Sequence, residues 1–178
     1  MVPSKVAIIV PAFNEERTIA QQVNKLNSFG RVIVVNDGSC DDTKQICENL
    51  DCDLINLESN MGYDRALEVG IKRARAYEYI VTTDADGEIP TKFVSAAIND
   101  LLEGADCVLG QRQDFPRYGE IIINTYIYLN YGIKDIFCGL KGYRVSSLGG
   151  DIQLQQSVGT RLALNLLKNK KNVTTIPV

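Results

Sequence analysis

Three carboxylates at alternate positions, Asp84, Asp86 and Glu88, close the run Tyr79-Ile-Val-Thr-Thr-Asp-Ala-Asp-Gly-Glu-Ile-Pro90. On an extended chain, side chains two apart share a face, so the three would project together. Their oxygens are hard ligands suited to Mg2+, Mn2+ or Ca2+, and a site with few protein ligands leaves positions for water and substrate phosphates. A metal–diphosphate site is the chemistry that this spacing suggests. The plainer alternative is a solvated turn, with Gly87 and Pro90 as its punctuation and Pro90 opening a helix.

Histidine is absent from the 178 residues, so proton chemistry falls to carboxylates, Lys, Tyr, Cys or the substrate itself. Five cysteines, Cys40, Cys47, Cys52, Cys107 and Cys138, stand at irregular spacings without a Cys-x-x-Cys pair. Such a set reads as small buried hydrophobes in a reducing compartment, none of them assigned to metal or catalysis. The net charge of −3 comes without a basic block, which removes the electrostatic footprint of a nucleic-acid binder. Anionic ligands stay open, because a bound divalent cation can dominate its local field. The length, with 45% hydrophobic and 23% charged residues, suits one soluble domain with a sizeable core. The first apolar run, Val6 to Val10, is too short for a signal peptide or a membrane span, so a cytoplasmic location is expected.

Lys5 to Pro11, Arg31 to Val35, Asp53 to Leu57, Tyr79 to Thr83 and Asp106 to Leu109 read as strands. Between them, Glu15 to Ser28, Asp41 to Leu50, Tyr63 to Tyr77 and Pro90 to Glu103 read as helices, the last stopped by Gly104. This alternation predicts an α/β fold: a single-domain, Rossmann-like, mostly parallel sheet with right-handed crossovers and helices on both faces. Ligands bind outside the carboxyl ends of such strands. Polar residues cluster at three of those ends, Asn14-Glu15, Asn36-Asp37 and Asp84 to Glu88, and one crevice would gather all three.

The pattern weakens after Gly110. Gln111 to Gly119 is polar and holds Arg112 and Arg117, and Glu120 to Ile133 is a helix apolar on nearly all sides, with Tyr126, Tyr128 and Tyr131. That helix is too short to span a bilayer. Its tyrosines suit a membrane interface beside a lipid carrier, and equally a core or dimer contact. Asp135 to Arg144 is a Gly-studded loop leading into a strand, Gln156 to Leu167 a helix, and Val173 to Val178 a final strand.

Val10-Pro-Ala-Phe-Asn-Glu-Glu16, Val34-Val-Asn-Asp-Gly-Ser39, Asn60-Met-Gly-Tyr-Asp-Arg-Ala66, Asp84-Ala-Asp-Gly-Glu-Ile-Pro90 and Gly110-Gln-Arg112 together resemble family 2 glycosyltransferases of the A-type nucleotide-sugar fold. Gly110-Gln-Arg112 with Asp135-Ile-Phe-Cys-Gly-Leu-Lys-Gly-Tyr-Arg144 is similar to the dolichyl- and polyprenyl-phosphate sugar transferase branch, of which dolichol-phosphate mannose synthase is the familiar member. The resemblance implies one glycosyltransferase domain over 1–178, with a nucleotide-sugar-binding half at 1–110 and an acceptor side at 111–178. It implies that Pro11, Ala12, Asn14 and Glu15 line the nucleoside pocket, that Asp37 holds the base or ribose, and that Arg65 lies near the donor diphosphate. Asp84, Asp86 and Glu88 would hold Mg2+ or Mn2+, Glu88 standing where relatives often have Gln. Arg112 and Arg117 would meet an acceptor phosphate, as would the Lys141 to Arg144 region. Asp86, Arg112 and Asp135 are the residues expected to act in catalysis.

The implied partners are a GDP- or UDP-linked sugar and a polyprenyl-phosphate or saccharide acceptor. A peripheral membrane contact at the cytoplasmic face, a membrane partner subunit and a homodimer belong to the same expectation; nucleic acid does not. Two departures stand out: Asn36 replaces a common Asp, which bears on nucleoside preference, and many relatives continue beyond the strand at Val178, some with membrane helices. A short natural form, a truncated piece and a chain that needs a partner for membrane attachment are the alternatives.

Each carried residue also has a structural use. Asn14 and Glu15 suit a helix start, Asp37-Gly38-Ser39 a turn and cap, Arg112 a surface position and Asp135 a capping role. The implied reaction inverts the anomeric centre through an oxocarbenium-like transition state, with charge growing on a departing diphosphate that the metal offsets. A hydroxyl acceptor needs a base, for which Asp114 or Asp135 is available, whereas a polyprenyl phosphate is already an anion and needs cations to position it. The missing histidine suits the second. Rival readings are a haloacid-dehalogenase-type phosphatase, whose Asp-x-Asp-Gly normally follows the first strand rather than the fourth, and a nucleotidyltransferase, whose Gly-rich basic loop Pro11 to Glu16 does not match. A non-catalytic glycosyltransferase-like binding subunit is the third.

Overall fold

A computed structural model describes residues 5–112, 120–149 and 157–178. Strand β1 (Val6–Ala12) is buried at all seven positions, because an unbroken apolar run offers neither face to water and so belongs in the middle of a covered sheet. Around it β2 (Arg31–Asn36), β3 (Asp53–Asn56), β4 (Tyr79–Thr82), β5 (Cys107–Gln111), β6 (Lys141–Arg144) and β7 (Val173–Pro177) build one sheet in the order β3-β2-β1-β4-β6-β5-β7. The pairs β1–β2, β1–β4, β2–β3 and β5–β7 are parallel. The expected mostly parallel sheet is therefore present, with β6 running antiparallel between β4 and β5. Strands from beyond residue 110 thus complete the sheet that the first 110 residues begin.

Helices α1 (Ile19–Leu26), α2 (Thr43–Glu48), α3 (Tyr63–Ala74), α4 (Thr91–Leu102), α5 (Ile121–Tyr131) and α6 (Val158–Lys168) cover both faces. Alternation along β1 divides the core: Val6, Ile8 and Val10 join one layer with α1, α2 and α4, while Ala7 and Ile9 join another with α3, α5 and α6. Each fully buried Val or Ile in these layers contributes about 1.5–3 kcal/mol. In α1 the buried set Ile19, Gln22, Val23 and Leu26 has the three- and four-residue spacing of an amphipathic helix. That helix starts four residues later than its sequence suggests, for a reason found at the site.

Strand order sets where ligands go. The last β1–β4 pair is Ile9 with Thr82, whereas β1 stays paired to β2 as far as Ala12 with Asn36. The sheet is therefore split at its carboxyl end between β1 and β4, the place where parallel α/β sheets receive ligands.

Helix α5 buries only Asn124 and Ile127, leaving Ile122 82% and Leu129 77% exposed. No helix among the described residues is long and apolar enough to cross a membrane. All five cysteines are free; Cys47, Cys107 and Cys138 are buried as expected, but Cys40 is exposed.

Candidate active site

Two clefts open at the split and meet at its centre. One, of about 360 Å3, has Pro11, Ala12, Phe13, Glu15, Asp37 and Asn60 in its lining, and the other, of about 470 Å3, has Asp64, Glu88, Arg112, Glu120, Lys141 and Thr160. Tyr63, Asp84 and Asp86 line both.

The acidic run does not stay extended past β4. The chain turns at Ala85 and Asp86, Gly87 takes the left-handed φ of 75°, and the Glu88 N–H donates to Asp86 Oδ1 at 2.9 Å. The turn prevails over the extended geometry because the aspartate side chain offers the backbone a bond two residues on, and glycine accepts positive φ without strain. Among the described residues no three acidic or cysteine side chains converge into a metal-binding group. What the turn leaves is a pair: burial, and then the Asp86 charge, push the Asp84 carboxyl above its usual range, with Glu88 contributing less. Two hard carboxylates in mutual repulsion fit a divalent cation, which relieves the repulsion and leaves coordination positions for diphosphate oxygens.

Asp84 is held from several sides. The Tyr63 hydroxyl donates to its Oδ1 at 3.2 Å, and Gln22 Nε2 donates to its carbonyl oxygen at 3.2 Å. The Gly139 backbone lies against the carboxylate so closely that a Cβ there would stand 2.1 Å from Asp84 Oδ2. Thr82 Oγ1 ties the Gly139 carbonyl to the end of β4 at 2.8 Å. Tyr63 is half exposed, and burial and the Asp84 charge push the phenol well above its usual range.

In the first cleft, several residues read as ligand contacts also hold the loops. Asn14 sits at a φ of 57°, donates its N–H to Ser39 Oγ at 2.9 Å and accepts the Cys40 N–H at 2.9 Å. The Glu15 and Glu16 N–H groups donate to Thr43 Oγ1 and Asp41 Oδ2, at 2.7 and 3.1 Å. These bonds tie the chain after β1 to the segment after β2, and with Asn14 in the left-handed region and a turn over 16–18 the helix begins only at Ile19. Asp37 is buried and accepts the Met61 and Gly62 N–H groups, both at 2.8 Å. Pro11, Ala12, Glu15 and Asp37 line this cleft, whereas Asn14 is exposed and is not among its lining residues. Arg65 lies on α3 and is not among the lining residues of either cleft, with Nη1 on Glu68 Oε2 at 2.7 Å.

The second cleft carries the cations. Arg112 Nε donates to Asp135 Oδ2 at 2.6 Å, and its Nη2 donates to Asp135 Oδ1 at 3.1 Å and to Glu120 Oε2 at 3.0 Å. Burial alone would raise the Asp135 carboxyl, but the Arg112 guanidinium and the Phe137 N–H outweigh it and hold the group below the usual carboxylate range. Lys141 is 6% exposed, and its ammonium donates to the Cys138 carbonyl. Burial pushes it below its usual range despite the Asp135 and Asp84 charges. Arg117 and Asp114 lie outside the described residues. Asp64 is a residue that sequence reasoning passed over: its carboxylate accepts the Ser157 and Val158 N–H groups at 2.8 and 3.0 Å, fixing the start of α6 beside the cleft. Tyr63 was passed over likewise, although its place in the first turn of a helix following a strand end is a signal that it faces the crevice.

Residues 7–149 match glycosyl transferase family 2. The chain is 33% identical over 156 residues to an uncharacterized protein of Methanocaldococcus jannaschii, covering 78% of this chain and 64% of that protein. It therefore spans less than two thirds of that relative's length. A UDP-N-acetylglucosamine–dolichyl-phosphate N-acetylglucosaminyltransferase of Methanococcus voltae is 26% identical over 196 residues, covering 98% of this chain and 78% of the relative. Among solved structures, glucosyl-3-phosphoglycerate synthase from Mycobacterium tuberculosis in complex with Mn2+, UDP-glucose and phosphoglyceric acid matches with a TM-score of 0.78, over 98% of this chain and 69% of that one, at 18% identity. That likeness shows the shared A-type fold. With the family match over most of the chain, the chain belongs to glycosyl transferase family 2.

Proposed function

We propose that the domain moves a sugar from a UDP- or GDP-linked donor to a polyprenyl phosphate, with inversion at the anomeric carbon. The meeting of two clefts at Asp84 and Asp86, one lined by the residues after β1 and β2 and the other carrying Arg112 and Lys141, is the observation that supports it most. Nucleoside in the first cleft and acceptor phosphate in the second would place the sugar between them, with attack from the side opposite the diphosphate. Asp84 and Asp86 would hold Mg2+ or Mn2+, which supplies charge stabilisation for the departing diphosphate. Glu88 lines the second cleft together with that pair.

Asp135 is better suited to orienting Arg112 than to accepting a proton, because its oxygens are already engaged and its carboxyl is held acidic. That favours an acceptor that arrives ionised. Among the described residues no partner takes the Arg112 Nη1 donors, which leaves them for such an oxygen, and Lys141 adds a second cation at the cleft wall. The exposed apolar face of α5 follows directly on Glu120, a partner of Arg112. It would rest against the membrane carrying the lipid, so that the protein works peripherally at the cytoplasmic face, alone or with a membrane subunit; a homodimer would bury the same face.

Arg112→Ala tests the acceptor side. Its acceptor step is expected to weaken by about 10- to 100-fold, with nucleotide affinity measured separately changed by less than about twofold. Equal losses would move Arg112 to the donor side. The variant also strands Asp135 in a buried position, at a cost of about 1–3 kcal/mol given the partial exposure of Arg112. In the wild type the lowered Asp135 pKa contributes stability above the unfolded value of about 3.9, lost as pH falls. Without Arg112 burial raises that pKa, so the gap between the two melting curves should close as pH drops through about 4.

Lys141→Met separates function from folding. A buried ammonium opposes stability, so the variant should melt at or a few degrees above the wild type, about 2–4 °C at most, while its KM for a polyprenyl phosphate rises. A lower melting temperature with unchanged KM would mark Lys141 as structural.

A further inference from the structure

We propose that Tyr63 is the platform for the donor's sugar, its ring lying against the C–H face of a hexopyranose while its hydroxyl fixes Asp84; this rests on the function proposed above. Among the described residues only Tyr63, Asp84 and Asp86 belong to the linings of both clefts. A nucleoside in one and an acceptor in the other leave the transferred sugar at their junction, beyond the diphosphate and over this ring. Tyr63 is 46% exposed, so folding leaves a large part of this apolar residue uncovered. A tyrosine combines an apolar face with a polar tip, and here the tip is anchored on Asp84 Oδ1 at 3.2 Å.

The residues around Tyr63 are tied down as well. On one side the Met61 and Gly62 N–H groups are held by Asp37, and on the other the Asp64 carboxylate holds the start of α6. The ring is thus presented in a fixed place at both its backbone and its hydroxyl, which lowers the entropic cost of binding against it. A residue needed only to orient Asp84 would gain nothing from a flat, half-exposed surface at the centre of the site.

The test is calorimetric titration, in Mn2+, of the full chain and its Tyr63→Leu and Tyr63→Phe variants with UDP, GDP and their hexose conjugates, with melting curves recorded for each. Tyr63→Leu is expected to weaken the nucleoside-diphosphate hexose by about three- to tenfold, with the bare nucleoside diphosphate changed less than about twofold. Tyr63→Phe should keep the affinity ratio of conjugate to bare diphosphate and weaken Mn2+ binding instead, since it retains the ring and loses the Asp84 contact. An unchanged ratio in Tyr63→Leu, or a loss in Tyr63→Phe equal to that in Tyr63→Leu, would overturn the platform while leaving the proposed function in place. Failure of the wild type to bind any of the conjugates would overturn both.

Discussion

Asp86→Ala is expected to abolish metal-dependent affinity for nucleotide sugars, a loss of more than about 100-fold, without unfolding the chain. Asp86 is exposed and lies outside both core layers, so its removal leaves the sheet intact. Among the described residues its one hydrogen bond accepts the Glu88 N–H in the turn, a bond of about 0.5–1.5 kcal/mol. Asp86→Asn keeps that bond and removes the charge, so it should match Asp86→Ala in Mn2+ affinity while melting closer to the wild type. Calorimetric Mn2+ titration in the presence of UDP and GDP reads the first effect, and thermal melting reads the second. Unchanged metal-dependent affinity for every nucleotide in both variants would sink the assignment of the metal to this pair.

Gly139→Ala should damage the same site from the opposite wall. A Cβ at that position would lie 2.1 Å from Asp84 Oδ2 and 2.6 Å from its Cγ, far inside the contact distance of about 3.5–4.0 Å. Neither neighbour has slack: the Gly139 carbonyl is bonded to Thr82, and Asp84 follows directly on the end of β4 with its own carbonyl bonded to Gln22. The carboxylate must therefore rotate away, giving up the Tyr63 hydroxyl and its place beside Asp86. Mn2+ affinity should fall by about 10- to 100-fold, as when supports of metal ligands are lost, with a smaller drop in melting temperature. A Gly139→Ala protein that binds Mn2+ like the wild type would mean that the position of Asp84 is not what the cation senses.

Much of this arrangement was legible in the chain itself, where burial pattern and local chemistry agree. The apolar runs at Val6 and Tyr79 announce buried strands, and polar clusters at strand ends announce the crevice. The orientation of β6 was not legible, because Lys141 to Arg144 is four residues with a glycine and carries neither a buried-strand run nor a clean alternation. The acidic run held two signals that conflict, spacing of two for an extended chain and Gly87 for a turn, and the turn won through a side-chain bond that periodicity does not reveal. Asp37 was recognisable as a polar strand end, but its partners lie 24 and 25 residues onward in the chain, a distance no local pattern spans. Arg65 shows the reverse case. Its spacing to Glu68 is that of a helical ion pair, and this local preference holds the guanidinium on α3 in the structure.

Metal-assisted transfer to a lipid phosphate is tested most directly by supplying the full chain with UDP- and GDP-hexoses, with and without Mn2+, beside undecaprenyl phosphate and a free saccharide in parallel. Mass analysis of the lipid fraction then shows whether a sugar has been gained. The expected result is a Mn2+-dependent glycosyl phosphate lipid from one of the two nucleotides and no product on the saccharide. Product on the saccharide alone, or lipid product made equally well without a divalent cation, would contradict it.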